Sequence, residues 1–193
     1  MELVFATHNA HKIKELQEIL GDSVKLISLT DLGVTAEIEE TGTTIEENAL
    51  LKAKYVSDKF GVNVFADDTG LEIEALNGEP GVISARYAGE AKNPVDNMEK
   101  VLLLMQDKEN RNARFRTIIS LILKGKEYRF EGVVNGQILK IPIGDNGFGY
   151  DPIFMPDGYT LSFAQMDSDT KNNISHRGKA VEKLINFLNK SNI

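Results

Sequence analysis

The spacing of apolar residues changes along this chain, and that change restricts the fold more than any other feature. Early on, short apolar runs alternate with stretches of helical period. Leu3–Ala6 reads as a strand, and Ile13, Leu16, Ile19 and Leu20 recur at helical spacing within Asn9–Leu20. Val24–Ser28 reads as a second strand. Thr43 and Thr44 each precede a glutamate by three residues (Glu46, Glu47), giving two overlapping capping boxes. Ile45, Ala49, Ala53, Val56 and Phe60 then mark the buried stripe of a helix. Val62–Ala66 is a buried strand, expected to end at Asp67 and Asp68. In the second half, Asn93–Met105 is a helix with Val95, Met98, Val101, Leu102 and Met105 inward. Ala113–Lys124 and Lys126–Val134 are strands joined through Lys124, Gly125 and Lys126, a hairpin signal. Gln137–Ile141 reads as another strand. Ser175–Lys190 reads as a helix with Ala180, Val181, Leu184, Ile185 and Leu188 inward. Strands alternating with helices, followed by a meander, require a mixed sheet in an α/β fold.

No repeat, low-complexity tract or linker divides the 193 residues, so one domain spanning 1–193 is expected. The chain has no cysteine, which excludes disulfides and thiolate metal sites. Met1–Ala6 lacks a basic segment followed by an apolar one, so no signal peptide is expected. No run approaches the roughly 18 apolar residues of a membrane span. The expectation is a cytoplasmic protein with no membrane partner. A net charge of −7 argues against a nucleic-acid binder. It leaves room for a nucleotide site, because a few local cations and a metal suffice for a triphosphate.

Four segments carry candidate chemistry. Thr7, His8, Asn9, Ala10, His11 and Lys12 leave a strand and open a helix, where backbone N–H groups and the positive helix end suit phosphate. Asn9 also suits a plain N-cap. The segment is not a Walker loop, for it lacks the glycines and the Gly-Lys-Ser/Thr ending. The second candidate is acidic: Glu37, Glu39 and Glu40 in one stretch, Asp67 and Asp68 in another. Magnesium binds oxygen donors through one or two carboxylates plus substrate phosphates. Taken alone, Glu37–Glu40 reads as a solvated acidic loop. Asp67 and Asp68 stand at a strand end, where α/β sheets place ligands, and alternation turns them to opposite faces. Third, Gly144–Pro152 supplies glycines for close backbone approach, Phe148 and Tyr150 to stack on a base, and Asp151 to accept from a ring N–H. Fourth, Lys171–Arg177 places His176 and Arg177 in a first helical turn capped by Ser175. Cations there oppose the helix dipole unless an anion or a carbonyl-rich ligand relieves them.

Together, in this order, the segments resemble the inosine triphosphate pyrophosphatase family, the dITP/XTP pyrophosphatases. The resemblance runs from about Leu3 to Leu188. Its Thr-x-Asn-x-x-Lys signature stands as Thr7, Asn9 and Lys12. Glu47, Asn48, Ala49, Lys52 and Ala53 match a second motif. Asp67, Asp68, Thr69, Gly70 and Leu71 match the acidic strand end, and Pro80–Tyr87 the middle motif. Phe148, Gly149, Tyr150, Asp151 and Pro152, then Ser175, His176 and Arg177, complete the set. The combination is very specific. Gln165 departs from it, since the family often has glutamate there, and Asp167–Thr170 also varies.

The resemblance implies a long mixed central sheet flanked by helices, two lobes with an active-site cleft between them, and a homodimer. It implies Mg²⁺-dependent hydrolysis of ITP, dITP and XTP at the α-phosphorus, giving monophosphate and pyrophosphate. Glu39 and Asp68 would hold Mg²⁺, Glu39 because it lies three residues before Gly42. Asp68 would activate the attacking water. Lys12, Lys52 and the backbone after Thr7 would hold phosphates, and Thr69 would also bind substrate. The base would lie between Phe148 and the turn of His176 and Arg177, which would donate to its 6-carbonyl, with Gly149, Tyr150, Asp151 and Lys171 also among the substrate-binding residues. Rival readings are a pyrophosphatase for another triphosphate, modified or pyrimidine, and a catalytically silent nucleotide-binding protein. A Rossmann-type oxidoreductase lacks its Gly-x-Gly-x-x-Gly after the first strand.

Overall fold

Leu3, Val4, Phe5 and Ala6 are all buried, so the first strand needs apolar partners on both faces. It finds them in a computed structural model that describes residues 2–20 and 24–190. Strand β1 (Glu2–Phe5) leads into helix α1 (Ala10–Leu20), and β2 (Lys25–Ser28) follows. Helix α2 (Ile45–Phe60) precedes the ten-residue strand β3 (Val64–Ile73). Helix α3 (Pro94–Leu104) precedes β4 (Asn112–Leu123) and β5 (Lys126–Ile138). A short strand β6 (Phe154–Pro156) and helices α4 (Ser168–Ile174) and α5 (His176–Lys190) complete the order.

The six strands form one sheet in the order β2-β1-β3-β4-β5-β6. β1 runs parallel to β2 and to β3, and β5 runs antiparallel to β6. β4 and β5 are joined by Lys124 and Gly125 at φ 50 and 75. Two residues at positive φ make the tight turn that antiparallel strands require. The expected mixed α/β sheet is therefore the fold. No helix among the described residues is long and apolar enough to cross a membrane.

The chain divides into two compact units. Unit 1 takes the residues up to Asp68, Thr117–Gly132 and those from Arg177 onward. Side-chain alternation splits its core in two. Leu3, Phe5 and Phe65 pack with Leu16 of α1 and Val181 and Leu184 of α5. Val4, Ala6, Val64 and Ala66 pack instead with Ala53 and Val56 of α2. Unit 2 takes Thr69–Arg116 and Val133–His176. Its core joins Leu71 and Ile73 of β3 to Val101 of α3, Phe115 of β4, Phe154 of β6 and Phe163.

Four expectations about elements need correction. β3 does not stop at Asp67 and Asp68 but continues to Ile73. Val95 is 52% exposed, not inward. No separate strand covers Gln137–Ile141, because β5 itself runs on to Ile138. The fourth is Val62, since β3 starts only at Val64; Ser175 stands extended directly before α5, the cap position expected of it.

Candidate functional site

The parity that divides the unit 1 core also decides where the two aspartates go. Asp67 shares parity with Phe65 and faces the α1 and α5 side. Asp68 shares parity with Ala66 and faces α2. Their partners follow. Lys12 of α1 donates through Nζ to Asp67 Oδ1 at 2.9 Å, and Arg177 of α5 reaches Asp67 Oδ2 through Nε at 3.4 Å. Arg177 Nη1 also donates to Glu15 Oε2. On the other face, Lys52 of α2 lies 3.7 Å from Asp68 Oδ1 and donates to Glu40 Oε1. Adjacent strand residues thus serve two cation clusters on opposite sides of one sheet.

Burial sets the chemistry of these groups. Asp67 is buried, which by itself would favour the neutral acid, but Lys12, Arg177 and Lys52 hold its carboxyl well below the usual carboxylate range. Asp68 goes the other way. Burial raises it, Lys52 and Lys12 only partly offset that, and the carboxylates of Glu40 and Asp67 push it further up. Burial also lowers Lys12. Lys52 is raised, because Asp68, Glu40 and Asp67 outweigh its desolvation. Together the two clusters set four carboxylates (Glu15, Glu40, Asp67, Asp68) against three cations (Lys12, Lys52, Arg177).

The loop before α1 is pinned by its own polar residues. Thr7 Oγ1 accepts from the Asn9 N–H at 3.1 Å. Asn9 Oδ1 accepts from the N–H groups of His11 and Lys12 at 3.0 and 3.2 Å, the geometry of an N-cap. Two first-turn donors expected to face phosphate therefore already have an acceptor in the chain. Exposed His8 reaches the Ala36 carbonyl through Nε2 at 3.1 Å, which ties this loop to the start of the acidic segment.

Glu39 is exposed, whereas Glu40 is half-buried and held by Lys52. A site for a hard cation is tested by this donor set. Among the described residues, no group of three or more His, Cys, Asp or Glu could hold a metal. The carboxylates beside Lys52 are too few for an all-protein cage. Asp68 and the exposed Glu39 could supply the one or two carboxylates that Mg²⁺ takes, its shell completed by phosphate and water. The raised Asp68 carboxyl among acidic neighbours is the kind of group that a cation relieves.

In unit 2, the Gly144–Gly149 turn folds onto Asp151. Asp151 Oδ2 accepts from the Phe148 N–H and from Lys171 Nζ, each at 2.8 Å. Gly147 stands at φ +74, and a Cβ there would lie 2.1 Å from that same oxygen, so only glycine fits. Lys171 Nζ lies 5.3 Å from the Phe148 ring centroid. His176 is buried and stacks on Phe115, centroids 4.6 Å apart and planes 15° apart. Tyr150, expected to stack on a base, is buried instead and donates its hydroxyl to the Ser84 carbonyl at 2.8 Å. Gln165 fills the glutamate position without loss. Its Oε1 accepts from the Ser162 N–H at 3.0 Å in a capping box that either residue completes. Asp167 caps α4 by accepting from the Thr170 N–H.

Residues 3–187 match the Ham1 family. The chain belongs to the Ham1 family. A dITP/XTP pyrophosphatase of Flavobacterium psychrophilum is 56% identical over 187 residues, 97% of this chain and 98% of that protein. One from Bacillus subtilis is 49% identical, covering 97% and 96%. The solved Ham1 protein of Staphylococcus aureus superposes with a TM-score of 0.90 at 40% identity, covering 99% of this chain and 100% of that one. A Ham1 protein from Coxiella burnetii gives 0.90 at 41% identity, covering 98% and 99%. Within this Ham1 chain, sequence reasoning did not assign roles to Asp67 and Glu15. The alternation of β3 was the available signal for Asp67. Nothing local to Glu15 marked it, because its partner is 162 positions away.

Proposed function

We infer that the chain hydrolyses non-standard purine nucleoside triphosphates (ITP, dITP and XTP) to the monophosphate and pyrophosphate. The observation that carries this reading is β3 setting Asp68 beside Lys52 and Glu40, on a chain that belongs to the Ham1 family. Phosphoryl transfer is mostly positioning and charge neutralisation, and Lys52 and Lys12 supply cations for phosphate oxygens. Asp68 takes the proton of the attacking water.

We further propose that the reaction depends on Mg²⁺, held by Asp68 and Glu39, while Glu40 keeps Lys52 in place. The ion would neutralise phosphate charge and orient the triphosphate. On the base side the donors are His176 and Arg177, whose guanidinium Asp67 and Glu15 also hold, with the Phe148 ring to stack on the base. A 6-carbonyl accepts from such donors, whereas the amino group of adenine meets them donor to donor. Each buried polar group left unpaired costs about 1–3 kcal/mol. The proposed assembly is a homodimer.

The test is pyrophosphate release from ITP, dITP, XTP, GTP and ATP, with and without Mg²⁺. Faster release from the first three supports the reading. Equal release from ATP, or preference for a pyrimidine triphosphate, overturns it. Glu39→Gln and Glu40→Gln separate the ligands: a raised Mg²⁺ requirement in Glu40→Gln alone would move the ion to Glu40.

A further inference from the structure

Asn48 is wholly buried on the second turn of α2, one turn before Lys52. Its Oδ1 accepts from the Gly42 N–H at 2.7 Å. That bond fixes the amide orientation, because the flipped amide would oppose N–H to N–H. The fixed orientation leaves Nδ2 buried with no hydrogen-bond partner among the described residues. A buried donor without an acceptor is costly, and an apolar residue would avoid the cost. What the amide contributes is its oxygen, and that oxygen is spent on the end of the acidic segment.

Gly42 shows how close this contact is. A Cβ at Gly42 would lie 2.6 Å from Asn48 Oδ1, 2.7 Å from Glu47 Cβ and 3.0 Å from the Asn48 nitrogen. Only glycine lets the backbone come this near to α2. Glu47 adds a second tie, with Oε2 accepting from the Thr43 N–H and hydroxyl at 2.7 and 2.9 Å. At the other end His8 holds the Ala36 carbonyl. Glu39 and Glu40 lie between these anchors.

We propose that Asn48 is a positioning residue: through Gly42 it fastens the acidic segment 37–42 to α2, so that Glu40 meets Lys52 and Glu39 is presented for a divalent cation. This rests on the function proposed above. Asn48 acts through the segment it holds.

The experiment compares wild type with Asn48→Ala and Gly42→Ala. The second variant displaces the segment while leaving the Asn48 amide in the core. Amide hydrogen exchange of residues 37–43 is followed by mass spectrometry, without nucleotide or metal. The Mg²⁺ concentration for half-maximal pyrophosphate release from ITP is measured beside it. Both variants should speed exchange in 37–43 about tenfold or more, with other segments unchanged. They should raise the Mg²⁺ half-saturation at least fivefold, while kcat at saturating Mg²⁺ stays within threefold of wild type. Wild-type exchange in 37–43 and wild-type Mg²⁺ half-saturation in Asn48→Ala would overturn the proposal. So would a lowered melting temperature with neither readout moved. If Asn48→Ala does not fold, Gly42→Ala decides by the same two readouts. If wild type releases no pyrophosphate from ITP, the proposed function falls and the exchange measurement alone decides the fastening.

Discussion

Asp67 and Asp68 are neighbours in sequence and opposites in chemistry. Asp67 is ringed by cations and stays ionised, whereas burial raises Asp68, with Glu40 and Asp67 adding to it. The two substitutions to asparagine should therefore fail differently. Asp68→Asn keeps shape and removes a base, so kcat should fall about 10²–10⁴-fold, with the melting temperature nearly unchanged. A kcat within threefold of wild type at saturating Mg²⁺ and ITP would remove Asp68 from the reaction. Asp67→Asn instead leaves Lys12 and Arg177 facing a neutral amide in a buried site. Breaking a buried ion pair costs about 3–5 kcal/mol, so its melting temperature should drop by on the order of 10 °C. Linkage gives the sign with pH. A carboxyl whose folded pKa is depressed contributes stability above its unfolded value of about 3.9, and that contribution is lost as pH falls through the folded value. Wild type should thus lose stability relative to Asp67→Asn below about pH 4, measured by denaturant titration at several pH values. That the two carboxylates face apart was legible in the sequence, since strand alternation is local. Their partners were not, because Lys12, Lys52 and Arg177 are brought there by helices distant in the chain.

Elements were legible where periodicity was strong and misread where it was weak. Helix α2 was readable at both ends: Thr44 accepts from the Glu47 N–H at 3.1 Å, and the left-handed Gly61 ends the helix at φ 64. Thr44→Ala should cost about 1 kcal/mol, within the usual range for a lost cap, and lower the melting temperature by roughly 2–4 °C. No change on thermal melting would mean that Thr43 and Glu47 hold the helix start without it. β3 was cut short because Asp67, Asp68, Thr69 and Gly70 look like a turn. Buried partners for each aspartate keep the strand going. Helix α4 was not read from the sequence, since its seven residues carry one apolar side chain, Ile174. Its cap, Asp167, was taken only as a departure from the family's spelling. Tyr150 was assigned to a base from its residue type, but its hydroxyl closes on Ser84, a contact across 66 positions that no spacing announces.

At the scale of the whole molecule, the proposed metal should be separable from folding. The cores of the two units are aliphatic and aromatic clusters. A structural metal supplies folding free energy, and its removal unfolds the protein. A metal shared with substrate does not, and it stabilises the apo chain only by mass action according to its own weak affinity. The carboxylates beside Lys52 fit the second kind, for Lys52 already balances part of their charge. Excess chelator should accordingly abolish pyrophosphate release from ITP and leave the melting temperature within about 2 °C, less than 1 kcal/mol for a chain of this size. Added Mg²⁺ should restore turnover at once, with no lag for refolding. Full activity in chelator would remove the metal from the reaction. A large drop in melting temperature would make the metal part of the fold, against the apolar composition of all three clusters.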